Sequence, residues 1–270
     1  MDNAELAALA LDIAREAGAL ARSGQAGVRI AGTKSSPIDL VTEMDQACEQ
    51  LIRERLAASR PGDGFLGEES GEAVSDAASD CRWIVDPIDG TVNYVYGLPQ
   101  WAVSIAAERQ GVVVAGAVVA PALEEEYLGV LGQGSWRLAG GDRERLVCSQ
   151  QTELAQALVA TGFGYRRERR VEQGRVISAL LPEIRDIRRC GAAAVDLCYV
   201  AAGRVDAGFE RGLNPWDRAA GGLIATEAGA RMGGLSEAPA SEAMTLCAPP
   251  ALYEALDRRL SALGATAPED

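Results

Sequence analysis

The most informative stretch of this 270-residue chain is Trp83-Ile84-Val85-Asp86-Pro87-Ile88-Asp89-Gly90-Thr91. Its apolar start predicts a short buried strand that ends at Asp86, because Pro87 cannot donate to a strand ladder, and Asp89-Gly90 predicts a turn. Carboxylates three residues apart on such a turn can bind one hard cation, with the carbonyl of Ile88 as a third oxygen ligand. Asp-x-x-Asp-Gly also occurs in plain acidic turns, so the prediction of a metal site depends on the whole nonapeptide.

Anion binding is a second property of the same turn. The hydroxyl of Thr91, together with the backbone N–H groups of Gly90 and Thr91, can face a phosphate. Two other acidic segments are candidates to join it. Gly67-Glu68-Glu69-Ser70 lies in an acidic stretch, residues 67–80, that we expect to be an exposed loop. Asn214-Pro215-Trp216-Asp217 begins a predicted helix, where Asp217 would also complement the helix dipole.

Composition excludes several classes of protein. Lys and Arg number 26 against 39 Asp and Glu, so the net charge of −13 argues against nucleic-acid binding. The chain has no histidine, which excludes Ser-His-Asp triads and histidine-ligated metal sites. Six scattered cysteines without a Cys-x-x-Cys pair predict reduced thiols in a cytoplasmic protein. The longest apolar run, residues 112–123, is too short to span a membrane, and no signal peptide is recognisable.

The order of predicted elements indicates an α+β protein. Residues 101–138 have the pattern of an antiparallel meander, whereas strands and helices alternate after residue 149. We therefore expect an N-terminal α+β half, residues 1–150, and a C-terminal α/β half, residues 151–270. Apolar periodicity predicts five main helices: residues 4–22, a helix that follows Asp45 and ends before Pro61, 192–202, 216–228 and 250–262.

These motifs, in this order, resemble the signatures of the inositol monophosphatase family. Similarity extends upstream to Lys34-Ser35-Ser36-Pro37 with Asp39-Leu40-Val41-Thr42 and Asp45. Downstream it includes residues 191–194, Glu210 and residues 216–221, so that matching motifs run from about residue 34 to 233. The resemblance implies a layered α-β-α-β-α fold with an antiparallel N-terminal sheet and a mixed C-terminal sheet, and a homodimer. It also implies a lithium-sensitive phosphomonoesterase that uses two or three Mg²⁺ ions.

The resemblance also implies roles for individual residues. Asp45 and Thr91 would orient and deprotonate the attacking water, with Lys34 and Glu69 as further catalytic residues. The implied metal ligands are Glu68, Glu69, Asp86, Asp89, Asp217 and the carbonyl of Ile88. The implied substrate-binding residues are Glu68, Ile88, Asp89, Gly90, Thr91, Gly191, Ala192, Ala193, Glu210 and Asp217. Carboxylates clustered in this way would repel one another and a phosphate unless divalent cations were bound.

Among phosphate monoesters, the expected substrate is myo-inositol 1-phosphate. Glu210 favours a polyol because one carboxylate can accept hydrogen bonds from two neighbouring hydroxyls. Histidinol phosphate, fructose 1,6-bisphosphate and a 3′-phosphonucleotide are alternative substrates for the same chemistry. A regulatory or binding protein that retains the fold is the alternative from another class, although the complete set of acidic residues argues against it.

Two patterns are interpreted as unrelated to the chemistry. Cys198 and Arg204 have the Cys-x5-Arg spacing of tyrosine phosphatases, but Cys198 lies in a predicted helix, so a core thiol is expected. The basic run of residues 166–170 is expected to be a solvated loop that reaches over a substrate or a partner subunit.

Overall fold

The computed structural model describes residues 1–33, 37–73 and 79–265. Five of its α-helices begin near the positions that apolar periodicity predicted. Within the described residues the α-helices are α1 (Asn3–Gly24), α2 (Glu43–Ser59), α3 (Thr91–Val95), α4 (Arg167–Leu180), α5 (Ala193–Ala201), α6 (Pro215–Glu227) and α7 (Pro250–Ala262). The five predicted helices correspond to α1, α2, α5, α6 and α7.

Strands form one large sheet, one medium sheet and one short two-stranded ribbon. They are β1 (Ile30–Thr33), β2 (Leu40–Thr42), β3 (Gly64–Gly67), β4 (Gly71–Ala73), β5 (Cys81–Asp89), β6 (Ala102–Arg109), β7 (Val112–Ala120), β8 (Glu125–Val130), β9 (Gly134–Ala139), β10 (Asp142–Arg145), β11 (Leu158–Thr161), β12 (Asp186–Arg188), β13 (Ala207–Glu210), β14 (Arg231–Gly233) and β15 (Thr245–Ala248).

The large sheet has eight strands in the order β10-β9-β8-β7-β6-β5-β3-β4. All neighbouring pairs are antiparallel except β3 and β5, which run parallel. The second sheet has the order β12-β11-β13-β15-β14. In it β11 is parallel to both neighbours, whereas β15 is antiparallel to both of its own. The first sheet is therefore mainly antiparallel and the second is mixed, as predicted.

Three apolar cores join five layers. The first core joins α1 and α2 to one face of the large sheet. The second joins the opposite face of that sheet to α5 and α6 and to the second sheet. The third joins the far face of the second sheet to α4 and α7. The α-β-α-β-α layering confirms the predicted fold class, because each sheet buries both faces against helices.

Two predictions around the central strand were wrong. β5 does not end at Asp86 but continues to Asp89, because its pairing with β6 is irregular between Asp86 and Asp89 and the N–H that Pro87 lacks is not needed there. Residues 67–80 are not a continuous exposed loop. Gly67 ends β3, residues 71–73 form β4 antiparallel to it, and residues 74–78 lie outside the described residues.

The basic run of residues 166–170 is also not a loop. Arg166 precedes α4, and the remaining arginines occupy its first turns. The helix forms because Gln173, Val176 and Leu180 bury one face of it against the third core. Among the described residues, no helix combines the length and apolarity needed to cross a bilayer.

Tyr94 connects α3 to the end of α1. Its buried hydroxyl donates to the carbonyl of Ala21 at 2.6 Å, and its ring packs edge-on against Trp101 at a centroid distance of 5.0 Å. Because α3 directly follows the acidic turn of β5, this connection helps to hold that turn against the first core.

Replacing Tyr94 by Phe should lower the free energy of unfolding by about 1 kcal/mol, because one buried hydrogen bond is lost and the ring is kept. Urea unfolding followed by tryptophan fluorescence measures this difference. Tyr96→Phe is the matched control, since Tyr96 is 75% exposed and its hydroxyl can remain hydrated. Equal unfolding midpoints for the two variants would show that the hydrogen bond from Tyr94 to Ala21 does not stabilise the fold.

Candidate active site

The acidic turn at the end of β5 carries the first two carboxylates of the site. Asp86 is 1% exposed, and one of its oxygens accepts the N–H of Ile88 at 3.1 Å. Asp89 accepts the N–H groups of Ala193 and Ala194, the first residues of α5, at 3.1 and 2.7 Å. The turn is thereby attached to a helix that begins 104 residues later in the chain.

Asp217 brings a third carboxylate from the first turn of α6. It forms a capping box with Asn214, whose N–H donates to the Asp217 carboxylate at 2.5 Å. Asp217 therefore caps the start of α6 and also belongs to the carboxylate cluster. Asp86, Asp89 and Asp217 each place one carboxylate oxygen within 4.8 Å of the others.

The electrostatics of this cluster favour a bound cation. Burial, followed by the charges of Glu68 and Asp89, raises the pKa of Asp86 well above its usual range. Burial also raises the pKa of Asp217, and it raises the pKa of Asp89 to about 7 despite the hydrogen bonds from α5. A divalent cation would relieve these costs, and a donor set made of carboxylate oxygens fits Mg²⁺.

Glu68 lines the same cavity from the turn between β3 and β4. Its backbone N–H donates to the carbonyl of Val85 at 3.2 Å, so this turn lies beside β5. Glu69 follows it and is half-buried, but it is not among the described residues that line the cavity. Lys34 lies outside the described residues.

Buried Asp45 and half-buried Thr91 form a pair next to the carboxylate cluster. The Thr91 hydroxyl lies 3.1 Å from an Asp45 oxygen and also 3.1 Å from the carbonyl of Ile88, so it can donate to either acceptor. The other Asp45 oxygen accepts the backbone N–H and the hydroxyl of Thr42 in the capping box of α2. Asp45 is completely buried, and these three groups help to fix its orientation.

Gly90 gives the turn its shape. It has a φ of +88°, and an added Cβ would lie 2.9 Å from the carbonyl oxygen of Gln100 and 3.1 Å from the Cβ of Ala192. Glycine is therefore required by both the conformation and the space. This close contact brings Gly191, Ala192 and Ala193 to the cavity, which all three line.

Glu210 lines the cavity from the end of β13. Burial, followed by the charges of Asp196 and Asp89, raises the pKa of Glu210 to about 8.

Asp196 itself lies on α5, and sequence reasoning missed it. Its pKa is raised to about 7, chiefly by burial, and its Oδ1 has no hydrogen-bond partner among the described residues.

The cavity has a volume of about 500 Å³. Besides the acidic residues, four arginines and Tyr165 line it; the sequence had suggested only that the basic run, to which two of these arginines belong, reaches over a substrate or a partner subunit. The arginines are Arg166, Arg169, Arg189 and Arg211. The basic run was visible in the sequence, but its place beside the acidic cluster depends on the packing of α4.

Cys198, by contrast, is completely buried in α5, and burial raises the pKa of its thiol, so it is not a nucleophile at this cavity.

Comparisons with known proteins agree with the geometry. The model of the inositol monophosphatase family matches residues 2–263. The chain is 46% identical over 242 residues to Inositol-1-monophosphatase SuhB of Mycobacterium tuberculosis, which covers 85% of this chain and 83% of that protein. It is 40% identical over 223 residues to Nus factor SuhB of Pasteurella multocida, which covers 82% of each.

Solved structures show the same similarity over nearly the whole chain. Mycobacterium tuberculosis SuhB superposes with a TM-score of 0.84 at 41% identity, covering 98% of this chain and 99% of that one. The inositol monophosphatase from Anabaena superposes with a TM-score of 0.83 at 30% identity, covering 96% of each chain.

Metal-free protein should lose stability as the pH rises from about 5 to about 7. Folding raises the pKa values of Asp89 and Asp196 to about 7, whereas unfolded carboxyls ionise near pH 4. The unfolded chain therefore binds fewer protons in this interval, and the free energy of unfolding falls by about 1.4 kcal/mol per pH unit for each group that stays protonated.

Urea unfolding at several pH values, with a chelator present, measures this slope. Asp196→Asn should reduce it, whereas Asp142→Asn on the exposed strand β10 should not. Added Mg²⁺ should flatten the profile, because a bound cation favours the ionised carboxylates. If the free energy of unfolding of the metal-free wild type did not change between pH 5 and pH 7, the raised pKa values of these carboxyls would be contradicted.

Proposed function

The chain belongs to the inositol monophosphatase family and is a phosphomonoesterase, and from that premise we propose Mg²⁺-dependent hydrolysis of myo-inositol 1-phosphate. The observation that carries the proposal is the convergence of Asp86, Asp89 and Asp217 beside the hydrogen-bonded pair of Asp45 and Thr91. This arrangement combines a site for hard cations with a site for moving a proton from water.

Two Mg²⁺ ions would be held by Glu68, Asp86, Asp89, Asp217 and the carbonyl of Ile88. Glu69 would lie near a third ion. Bound Mg²⁺ would supply positive charge that attracts the phosphate, acidifies the attacking water and stabilises the leaving alkoxide. Phosphoryl transfer requires mainly positioning and charge neutralisation, so a covalent nucleophile is unnecessary. The absence of histidine from the chain is compatible with this chemistry.

Asp45 and Thr91 act on the nucleophile. The Thr91 hydroxyl donates to the Asp45 carboxylate and can accept a hydrogen bond from the attacking water. As the water oxygen bonds to phosphorus, its proton passes to Thr91 Oγ1 while the hydroxyl proton of Thr91 passes to Asp45 Oδ1. The phosphorus–oxygen bond to the alcohol breaks on the opposite side, its electron pair stays on the alcohol oxygen, and that oxygen takes a proton from solvent water. Lys34 would assist as a further catalytic residue, as the family resemblance implies.

The substrate would lie between the carboxylate cluster and Glu210. Backbone N–H groups of Gly90 and Thr91 would bind the phosphate, and Gly191, Ala192 and Ala193 would border the alcohol. Glu210 would contact two neighbouring hydroxyls of the ring. The names of the M. tuberculosis and Rhizobium meliloti relatives, which specify inositol-1-monophosphatase, support the choice of inositol 1-phosphate.

Histidinol phosphate, fructose 1,6-bisphosphate and a 3′-phosphonucleotide are the alternative substrates. A second function, as a regulatory or binding protein, is favoured by one observation, the name Nus factor SuhB given to two relatives. From the family resemblance we also propose lithium inhibition, a cytoplasmic location and a homodimer. The division into residues 1–150 and 151–270 stays a prediction.

Phosphate release from the four candidate substrates, with and without Mg²⁺, tests the proposal. We expect the highest kcat/KM for inositol 1-phosphate and no turnover after chelation. Asp86→Asn should abolish Mg²⁺-dependent turnover of every substrate, because it removes the carboxylate at the centre of the cluster. Preference for another substrate would refute the substrate alone. Full activity of Asp86→Asn would refute the mechanism, and no turnover of any substrate would favour the regulatory alternative.

Glu210→Gln should raise KM for inositol 1-phosphate about tenfold when cations are bound, because bound cations favour the ionised carboxylate and the amide replaces one of its two hydroxyl-accepting oxygens by a donor. Turnover of p-nitrophenyl phosphate, which has no neighbouring hydroxyls, should change little. Steady-state kinetics on both substrates separate a specificity role from a general one. Equal losses on the two substrates would show that Glu210 does not contact the polyol.

A further inference from the structure

Glu49 is a buried carboxylate that the proposed mechanism does not use. It lies on α2, four residues after Asp45, so both side chains share one face of the helix. Glu49 is only 3% exposed, and it is not among the described residues that line the cavity. Burying a carboxylate is costly unless its oxygens are hydrogen-bonded, so its partners indicate why it is there.

Both oxygens of Glu49 accept backbone N–H groups from the turn between β3 and β4. Oε2 accepts the N–H of Glu69 and Oε1 that of Ser70, each at 2.8 Å. The two N–H groups are consecutive and directly follow Glu68, which lines the cavity. Glu49 therefore holds the segment that presents Glu68 and Glu69.

Gly67 makes this contact possible. A Cβ added at Gly67 would lie 2.5 Å from Glu49 Oε2 and 2.6 Å from its Cδ, closer than atoms can approach. The carboxylate therefore occupies the space that any other residue at position 67 would fill. The glycine that precedes the two glutamates is thus explained by a helix residue that is remote in sequence.

We propose that Glu49 is a positioning residue that holds the Glu68-Glu69 turn so that Glu68 faces the cavity, and that divalent-cation affinity depends on it. A carboxylate suits this role because it offers two acceptors and no donor to two adjacent N–H groups. The cation part of the inference rests on the proposed function, whereas the hydrogen bonds themselves do not. If Glu49 only contributed to folding, its loss would change stability but not cation affinity.

Glu49→Gln tests the role with almost no change in volume. The amide keeps one acceptor but places an NH₂ group against a backbone N–H, so one hydrogen bond is lost. Glu54→Gln is the matched control, because Glu54 is exposed on the same helix and accepts only the side chain of Gln50 among its described partners. In metal-free protein we expect amide exchange at Glu69 and Ser70 to become about tenfold faster in Glu49→Gln and to be unchanged in Glu54→Gln.

Calorimetric titration of the metal-free proteins with Mg²⁺ provides the second measurement. Glu49→Gln should raise the Kd about 10- to 100-fold, as for other groups that orient metal ligands, with the same number of ions bound. The Mg²⁺ concentration for half-maximal turnover should rise in the same proportion, whereas kcat at saturating Mg²⁺ should remain that of the wild type. Gly67→Ala should raise the Kd in the same direction, but the added methyl group would lie 2.6 Å from Phe65 Cε1 as well as against the Glu49 carboxylate, so the test of Glu49 rests on Glu49→Gln.

The outcomes separate this inference from the proposed function, because exchange and Mg²⁺ binding are measured without substrate. Faster exchange confined to Glu69 and Ser70, with weaker Mg²⁺ binding, supports the inference even if none of the phosphate esters is hydrolysed. Wild-type Mg²⁺ affinity in Glu49→Gln overturns it. Faster exchange throughout the described helices with an unchanged Kd also overturns it, because that result identifies a purely structural residue.

Discussion

Mutual repulsion among buried carboxylates is the constraint under which the rest of this structure is arranged. Asp86, Asp89 and Asp217 approach one another within 4.8 Å, and burial raises the pKa of each. Such a cluster lowers the stability of the metal-free chain, so it persists only where other interactions hold the geometry. Three apolar cores that interleave with two sheets supply that stability, since hydrophobic burial is the largest favourable contribution to folding.

Backbone N–H groups determine the orientation of the individual acids. Asp89 accepts two of them from the start of α5, Asp217 accepts one from Asn214, and Asp45 accepts one from Thr42. Helix starts are suitable because their first N–H groups have no partner within the helix and favour negative charge. The two sheets and the helices between them thus bring several such termini to one cavity, although the acids are far apart in the sequence.

Local motifs explain why part of the site could be predicted from the sequence. The acids of the β5 turn and of the start of α6 were recognisable because each combines a carboxylate with an adjacent structural signal, a buried strand or a helix start. The α+β class followed from the change of periodicity near residue 150, whereas the α-β-α-β-α layering was implied by the family resemblance. Glu49 and Asp196 were missed because each resembles an ordinary helix residue until tertiary packing supplies its neighbours. The same holds for α4, whose buried face has three residues and whose start is dominated by arginine.

Charge distribution adds a last step to this argument. The chain carries a net charge of −13, and its cavity has an acidic cluster on one side and four arginines among its lining residues. A phosphate monoester that approaches this cavity meets repulsion from the cluster unless cations neutralise it. Cation binding and phosphate binding are therefore thermodynamically linked, and each must strengthen the other by the same factor. If Glu49 holds the Glu68-Glu69 turn as we propose, it would influence the affinity for substrate although it is not among the described residues that line the cavity.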